Sequence, residues 1–283
     1  MNILHTQLLA DGFVFLEGPR WHQGKLWFSD MWGFKVYTLT PTGERAVVCE
    51  VPTRPSGLGF LPDGSLSVVS MSDRRILRCK DGVLSTYADL SKLAGGDVND
   101  TVTDARGRLY AGNFGYDLFG GADPAPADLL LVDTDGSARV VASGLDFPNG
   151  CVIKDGGRTL VVAESWAGRL SAFDIAADGS LSNRRVYASL PDRIPDGICL
   201  DAEGGIWVSS FNSGEFLRVL DGGEITDLVK VGDKRAVACQ LGGDDGRTLF
   251  CLTYDGQIED LHHQKAAGAV ETVRVAVGHG GSP

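Results

Sequence analysis

The chain has 283 residues, of which 43% are hydrophobic and 22% charged, and its formal net charge is −11. That share of apolar residues supports a sizeable folded core, and the acidic balance sets nucleic acid and anionic membrane aside as partners. No apolar run approaches the ~20 residues needed to span a bilayer, and the first residues have no basic stretch leading into an apolar one, so a soluble protein is expected.

Six cysteines (Cys49, Cys79, Cys151, Cys199, Cys239 and Cys251) form no C-x-x-C pair. Four of them, from Cys151 onward, sit within apolar runs and read as small buried hydrophobes. This usage fits a reducing cytoplasm.

One pattern recurs along the chain: an apolar strand, a Gly-containing turn, a second apolar strand, another turn and a third strand. It appears as WHQGKLWFSD from Trp21, FLPDGSLSVVS from Phe60 and TDARGRLYAGNF from Thr103. It continues as IKDGGRTLVVAES from Ile153, LDAEGGIWVSSF from Leu200 and LGGDDGRTLFCLT from Leu241. The turn glycines are Gly24, Gly64, Gly107, Gly157, Gly205 and Gly246, at intervals of 40, 43, 50, 48 and 41 residues. Units of several short strands at this spacing mark a β-propeller, and Asp-Gly and Gly-Gly suit tight hairpins. Helical periodicity is nearly absent; the exception is one helical turn expected over 88–93. The expected fold is all-β: a six-bladed β-propeller with a central metal site, in one domain over 1–283. The terminal stretches 5–9 and 270–277 are both strand-like and are expected to share one blade, closing the ring.

In a propeller the innermost strand of each blade lines the axis, so equivalent positions converge there. The residue about eight before each turn glycine opens that strand. Blade by blade it is Glu17, Ser56, Asn99, Asn149, Asp196 and Ala238, with offsets of seven for Glu17 and nine for Asp196. Two carboxylates and two amides from four blades then face one point. Carboxylates this close repel unless a cation or proton intervenes. Asn-Gly and Asp-Gly are also ordinary turn dipeptides, but their common register favours a divalent cation. Oxygen donors suit Ca²⁺ or Mg²⁺ first, with Mn²⁺, Fe²⁺ and Zn²⁺ open.

The same residues carry a resemblance over nearly the whole chain. Glu17 in LEGPRW, Asn99-Asp100, Asn149 in FPNG, the segment 172–185 and IPDGICLDAEGGIWV over 194–208 resemble the SMP-30/gluconolactonase/LRE-like family. The resemblance implies a six-bladed propeller with a divalent metal at the top of its channel. Glu17, Asn149 and Asp196 would be direct ligands, and Asn99 a fourth ligand or a partner to metal-bound water or substrate. Sugar-lactonase relatives often carry a substrate-contacting Arg two residues before the Asn of blade three. Here that position is Asp97, which puts a polyhydroxylated aldonolactone in doubt. Trp32, Phe114, Tyr116, Phe119 and Trp166, with Tyr254 as a further candidate, are expected as an aromatic rim suited to a less polar lactone or ester.

The expected reaction is metal-dependent opening of a lactone, with Asp196 as metal ligand and general base. Two alternatives stand beside it. One is a metal-dependent propeller hydrolase for another ester, including phosphotriesters; the other is a non-catalytic binding propeller. The remaining motifs read as structural. The span 133–136 is a hairpin turn rather than a calcium loop, and His262-His263 is a solvated loop pair. Ser56 has no register-equivalent His to activate it. The loop 115–128 is either a lid or merely a variable connection.

Overall fold

A computed structural model describes residues 2–281; Met1, Ser282 and Pro283, part of the expected unit over 1–283, lie outside the described residues. Six sheets of antiparallel hairpins follow one another along the chain. Their first strands are Leu16–His22, Pro55–Phe60, Val98–Thr103, Pro148–Lys154, Pro195–Leu200 and Arg235–Gly242. Each first strand packs on the first strand of the next sheet, and the sixth packs back on the first. The ring is therefore closed, and the fold is the six-bladed propeller that the repeat predicts.

Burial falls from the axis outward, as stacked blades require. In the second blade every residue of the second strand, Leu66–Ser70, is buried, while the outermost strand, Val83–Asp89, is largely exposed. Strands covered on both faces read as continuous apolar runs, and outer strands carry the polar residues.

The chain ends close the ring. Gln7–Phe13 pairs antiparallel with Gly268–Arg274 and becomes the outermost strand of the sixth blade. Glu271 anchors this closure: Lys234 Nζ lies 2.5 Å from its carboxylate, Thr253 Oγ1 donates to it at 3.0 Å, and Thr6 of the N-terminal segment donates as well. Two additions escape the sequence pattern. Asn2–Leu4 joins the fifth blade as a parallel fifth strand beside Ile225–Lys230. The C-terminal tail crosses to the same blade, where Gly280 donates its N–H to Leu200 O at 3.1 Å.

The turns explain the uneven offsets. The first blade uses a two-residue hairpin, Gln23-Gly24, with φ of 50° and 73°. Positive φ at both positions is the hairpin geometry that matches strand twist, and it shortens the count to Glu17. In the fifth blade the positive-φ glycine is Gly204 (81°), not Gly205. Counted from Gly204, Asp196 falls into the common register. The helical turn expected over 88–93 is a single turn placed slightly later, in which Leu90 O accepts from the Leu93 and Ala94 N–H groups, each at 2.9 Å. Strand Val83–Asp89 runs into a turn in which the Asp89 carboxylate accepts from the Ser91 N–H at 3.0 Å and hydroxyl at 2.6 Å. A 3₁₀ helix outside that expectation lies at Ile258–His263.

Candidate active site

The innermost strands of the first five blades are irregular at the same place. Register shifts occur between Glu17 and Arg20, Pro55 and Leu58, Val98 and Thr101, Pro148 and Cys151, and Pro195 and Ile198. A bulge of this kind re-aims side chains out of the regular ladder. Ser56, Asn99, Asn149 and Asp196 lie inside these bulges, and Glu17 stands at the edge of its own. The Asn-Gly and Asp-Gly pairs are therefore strand bulges and not hairpin turns. Their glycines serve close packing between blades. A Cβ on Gly150 would sit 2.6 Å from Ile198 N, and one on Gly197 would sit 2.4 Å from the Ala238 Cβ.

Glu17, Asn99, Asn149 and Asp196 reach the floor of one cavity of about 420 Å³ on the axis, and all four are buried. Asn149 Nδ2 donates to Ser165 Oγ at 3.3 Å, and that hydroxyl donates to Pro195 O at 2.7 Å. Asn149 Oδ1 and Asp196 Oδ1 are buried and have no hydrogen-bond partner among the described residues. Asn99 is better satisfied: its Oδ1 accepts from Ser56 Oγ and its Nδ2 donates to Pro148 O, each at 3.4 Å.

The charges are out of balance. Burial pushes the Glu17 carboxyl well above the usual carboxylate range, and the nearby Asp196 and Asp100 push it further. Burial does the same to Asp196; the Asn149 amide pulls its value down, and Asp100 pushes it up. Arg20, the basic residue at this depth, is engaged with Asp100 at 2.9 Å and with Thr101 O. Two buried carboxylates beside the orphaned oxygens of Asn149 and Asp196 call for a proton or a cation. Among the described residues no group of three or more His, Cys, Asp or Glu is gathered to hold a metal ion. The axial donors are carboxylate and amide oxygens, so their fit is to a hard cation.

The wall above this floor follows two rules. The residue just after the second strand of each of the first five blades faces the cavity: Met31, Met71, Phe114, Ser165 and Phe211. The residue two before the axial position also faces it in three blades, as Phe15, Phe147 and Ile194. Phe147 stacks on Phe114 with ring centroids 4.4 Å apart, and its φ is 60°, a costly conformation for a bulky residue. Leu118, Phe119, Ile258 and Leu261 form the roof. Of these residues only Phe114 and Phe119 are among the expected rim aromatics. The wall residues were legible from register, since a fixed offset from the axial residue or from the end of the second strand finds them; the roof residues Leu118, Ile258 and Leu261 follow no such offset.

The expected rim divides. Phe114, Phe119 and Trp166 line the cavity, while Trp32, Tyr116 and Tyr254 stand behind the lining. Trp32 meets Phe119 edge-on at 5.6 Å and His262 at 4.8 Å, so it ties the two roof segments together. His262 and His263 are both exposed, as expected, and His262 also sets its ring against Trp32. Tyr116 Oη accepts from Trp166 Nε1 at 2.9 Å and fixes that indole. Tyr254 is fully buried and donates to Gln257 O at 2.6 Å. Asp97 pairs with Arg54 at 2.6 Å; both stand two residues before their blade's axial position. The Arg54 guanidinium lies 3.9 Å from the Phe119 ring centroid and 5.0 Å from that of Trp32. Both charges are thereby held at the roof, outside the cavity lining.

With this geometry in view, residues 15–255 match the SMP-30/Gluconolactonase/LRE-like region. The chain belongs to that family. Family relatives include regucalcin of Danio rerio, 30% identical over 268 residues, covering 89% of this chain and 88% of the relative. A pentonolactonase of Haloferax volcanii is 27% identical over 273 residues, covering 92% and 90%. The crystal structure of a calcium-binding protein, regucalcin, from Agrobacterium tumefaciens superposes with a TM-score of 0.83 at 20% identity, covering 100% of this chain and 98% of that one. That last likeness is one of fold. Among the described residues, no helix is long and apolar enough to cross a membrane.

Proposed function

We propose that the chain is a divalent-cation-dependent lactonase acting on a lactone less polar than a sugar lactone. The observation that carries this reading is the pair of orphaned acceptors, Asn149 Oδ1 and Asp196 Oδ1, on the charged floor of an otherwise apolar cavity. Relatives named as lactonases support the reaction class. Glu17, Asn149 and Asp196 would hold the cation, with Asn99 as a fourth oxygen; Ca²⁺ is the first choice, and Mg²⁺, Mn²⁺, Zn²⁺ and Fe²⁺ are alternatives. When bound, the cation supplies Lewis-acid polarisation of an ester carbonyl. Asp196 takes the proton from the attacking water; its advantage is position, since it reaches the cavity floor. Asn149, held through Ser165, keeps its oxygen on the axis. Phe15, Phe114, Phe147 and Phe211 seat the apolar body of the substrate and exclude bulk water. Trp166 flanks the entrance, and Trp32 and Tyr116 hold the lining in place from behind. Six free, buried cysteines support a reducing compartment such as the cytoplasm, with a small-molecule lactone as the partner.

The test is acid release from a panel of γ- and δ-lactones, beside a phosphotriester, with chelated protein to which single cations are returned. The reading expects lactone turnover that vanishes with chelator, returns with one cation, and favours alkyl over polyhydroxylated lactones. Turnover of the phosphotriester alone would move the chain to another ester class, and cation binding with no turnover would make it a binding propeller.

A further inference from the structure

The sixth blade breaks both rules that build the cavity wall. Its axial position is Ala238 and the position two before it is Ala236. The residue after its second strand, Thr248–Tyr254, is Asp255, which faces away from the apolar cavity. At this break lies a second cavity of about 470 Å³, polar where the first is apolar, and the two share Phe211 as a common wall.

The cation nearest that wall is Arg235. It opens the sixth blade's innermost strand, and its guanidinium lies 4.9 Å from the centroid of the Phe211 ring. Among the described residues it makes no ion pair and no side-chain hydrogen bond. The other charges of the annex are differently placed. Lys234 is committed to Glu271 at 2.5 Å, and Asp233 and Asp255 are exposed at the outer edge, whereas Arg235 is half-buried. A guanidinium that rests over a ring and makes no other polar contact keeps its N–H donors available, and paired N–H donors are what bind a carboxylate.

We propose that this annex is a second substrate subsite, in which Arg235 binds a carboxylate carried on a side arm of the substrate whose ring lies in the axial cavity. Phe211 separates the two compartments and is the surface over which the arm passes. The substrate is then two-ended, with an apolar ring at the axial oxygens and an anionic arm at the sixth blade. Arg235 is a specificity residue and takes no part in the chemical step.

The proposal rests on the lactonase reading for its substrate series, so two measurements separate the two claims. The first compares kcat and KM of wild type and Arg235→Gln on an alkyl lactone and on the same lactone bearing a terminal carboxylate. Losing a charged hydrogen bond should raise KM for the carboxylate lactone about tenfold or more in the variant, with the alkyl lactone unchanged. The second measures calorimetric binding of the matching cyclic ethers, with and without the carboxylate arm, to the cation-loaded protein. It needs no turnover and so decides the annex even if no lactone is hydrolysed. A gain in affinity from the arm that disappears in Arg235→Gln and is partly kept in Arg235→Lys supports the subsite. No gain from the arm, or a gain that survives Arg235→Gln, overturns it.

Discussion

Among the places where this propeller buries carboxylates, the fourth blade and the axis treat them in opposite ways. Glu164, fully buried in the fourth blade, accepts from Arg169 at 3.0 Å and from Arg184 at 2.8 Å, as well as from Ser171 and the Asp146 N–H. Burial alone would raise its pKa, but Arg169, the Asp146 N–H, Ser171 and Arg184 together hold it down to about 2. Glu17 and Asp196 on the axis are buried nearly as deeply and form no salt bridge among the described residues; Arg20, paired with Asp100, offsets only part of the burial at Glu17, and both carboxyls are pushed up instead. For Glu164 this chain supplies the counter-charge from its own sequence. On the axis no such partners are supplied, and that imbalance is what supports the proposed cation.

The largest expected effect comes from Asp196→Asn. Turnover should fall by about a thousandfold, while the cation-free protein melts no lower than wild type, because one of two mutually repelling buried charges has gone. Glu164→Gln should do the reverse, lowering stability by about 3 kcal/mol through its stranded arginines and leaving turnover per folded molecule unchanged. Urea unfolding and steady-state kinetics on both variants test the pair.

The two regions should also part with pH. A carboxylate whose folded pKa is raised contributes stability below its unfolded value, and that contribution is lost as pH rises through the folded value. Cation-free protein should therefore lose stability as pH climbs from about 4 upward, and added cation should raise the melting temperature more at pH 8 than at pH 5. Glu164, with its lowered pKa, contributes stability above the ordinary carboxylate range that is lost only as pH falls toward about 2. Thermal melts with and without cation across this range check both signs.

Smaller effects sharpen the roles of wall and floor. Phe147→Ala should raise KM for an alkyl lactone about tenfold with little change in kcat, as expected for lost apolar contact. Asn99→Ala should weaken cation affinity less than Asn149→Ala, because the Asn99 carbonyl already accepts from Ser56. Cation titration of the two variants ranks them.

Much of this was legible in the sequence. Repeat spacing predicts the blade number, and register predicts that Glu17, Asn99, Asn149 and Asp196 meet. The parallel strand Asn2–Leu4 was not legible, since three residues carry no periodicity. The division of the aromatics was not legible either. Trp32 and Trp166 look alike as loop tryptophans, and only tertiary packing puts one behind the lining and leaves the other 49% exposed at the mouth. Asp97 suggests a lost arginine; its partner Arg54 comes from the neighbouring blade, a pairing that no single-strand pattern reveals.

Calorimetric titration of chelated protein with Ca²⁺, run beside Asp196→Asn, tests the central claim most directly. The account predicts one cation per chain in the wild type, with proton release on binding as the raised carboxyls ionise, and loss of that site in the variant. Absence of binding for every divalent cation tried, or binding that Asp196→Asn leaves untouched, would contradict it.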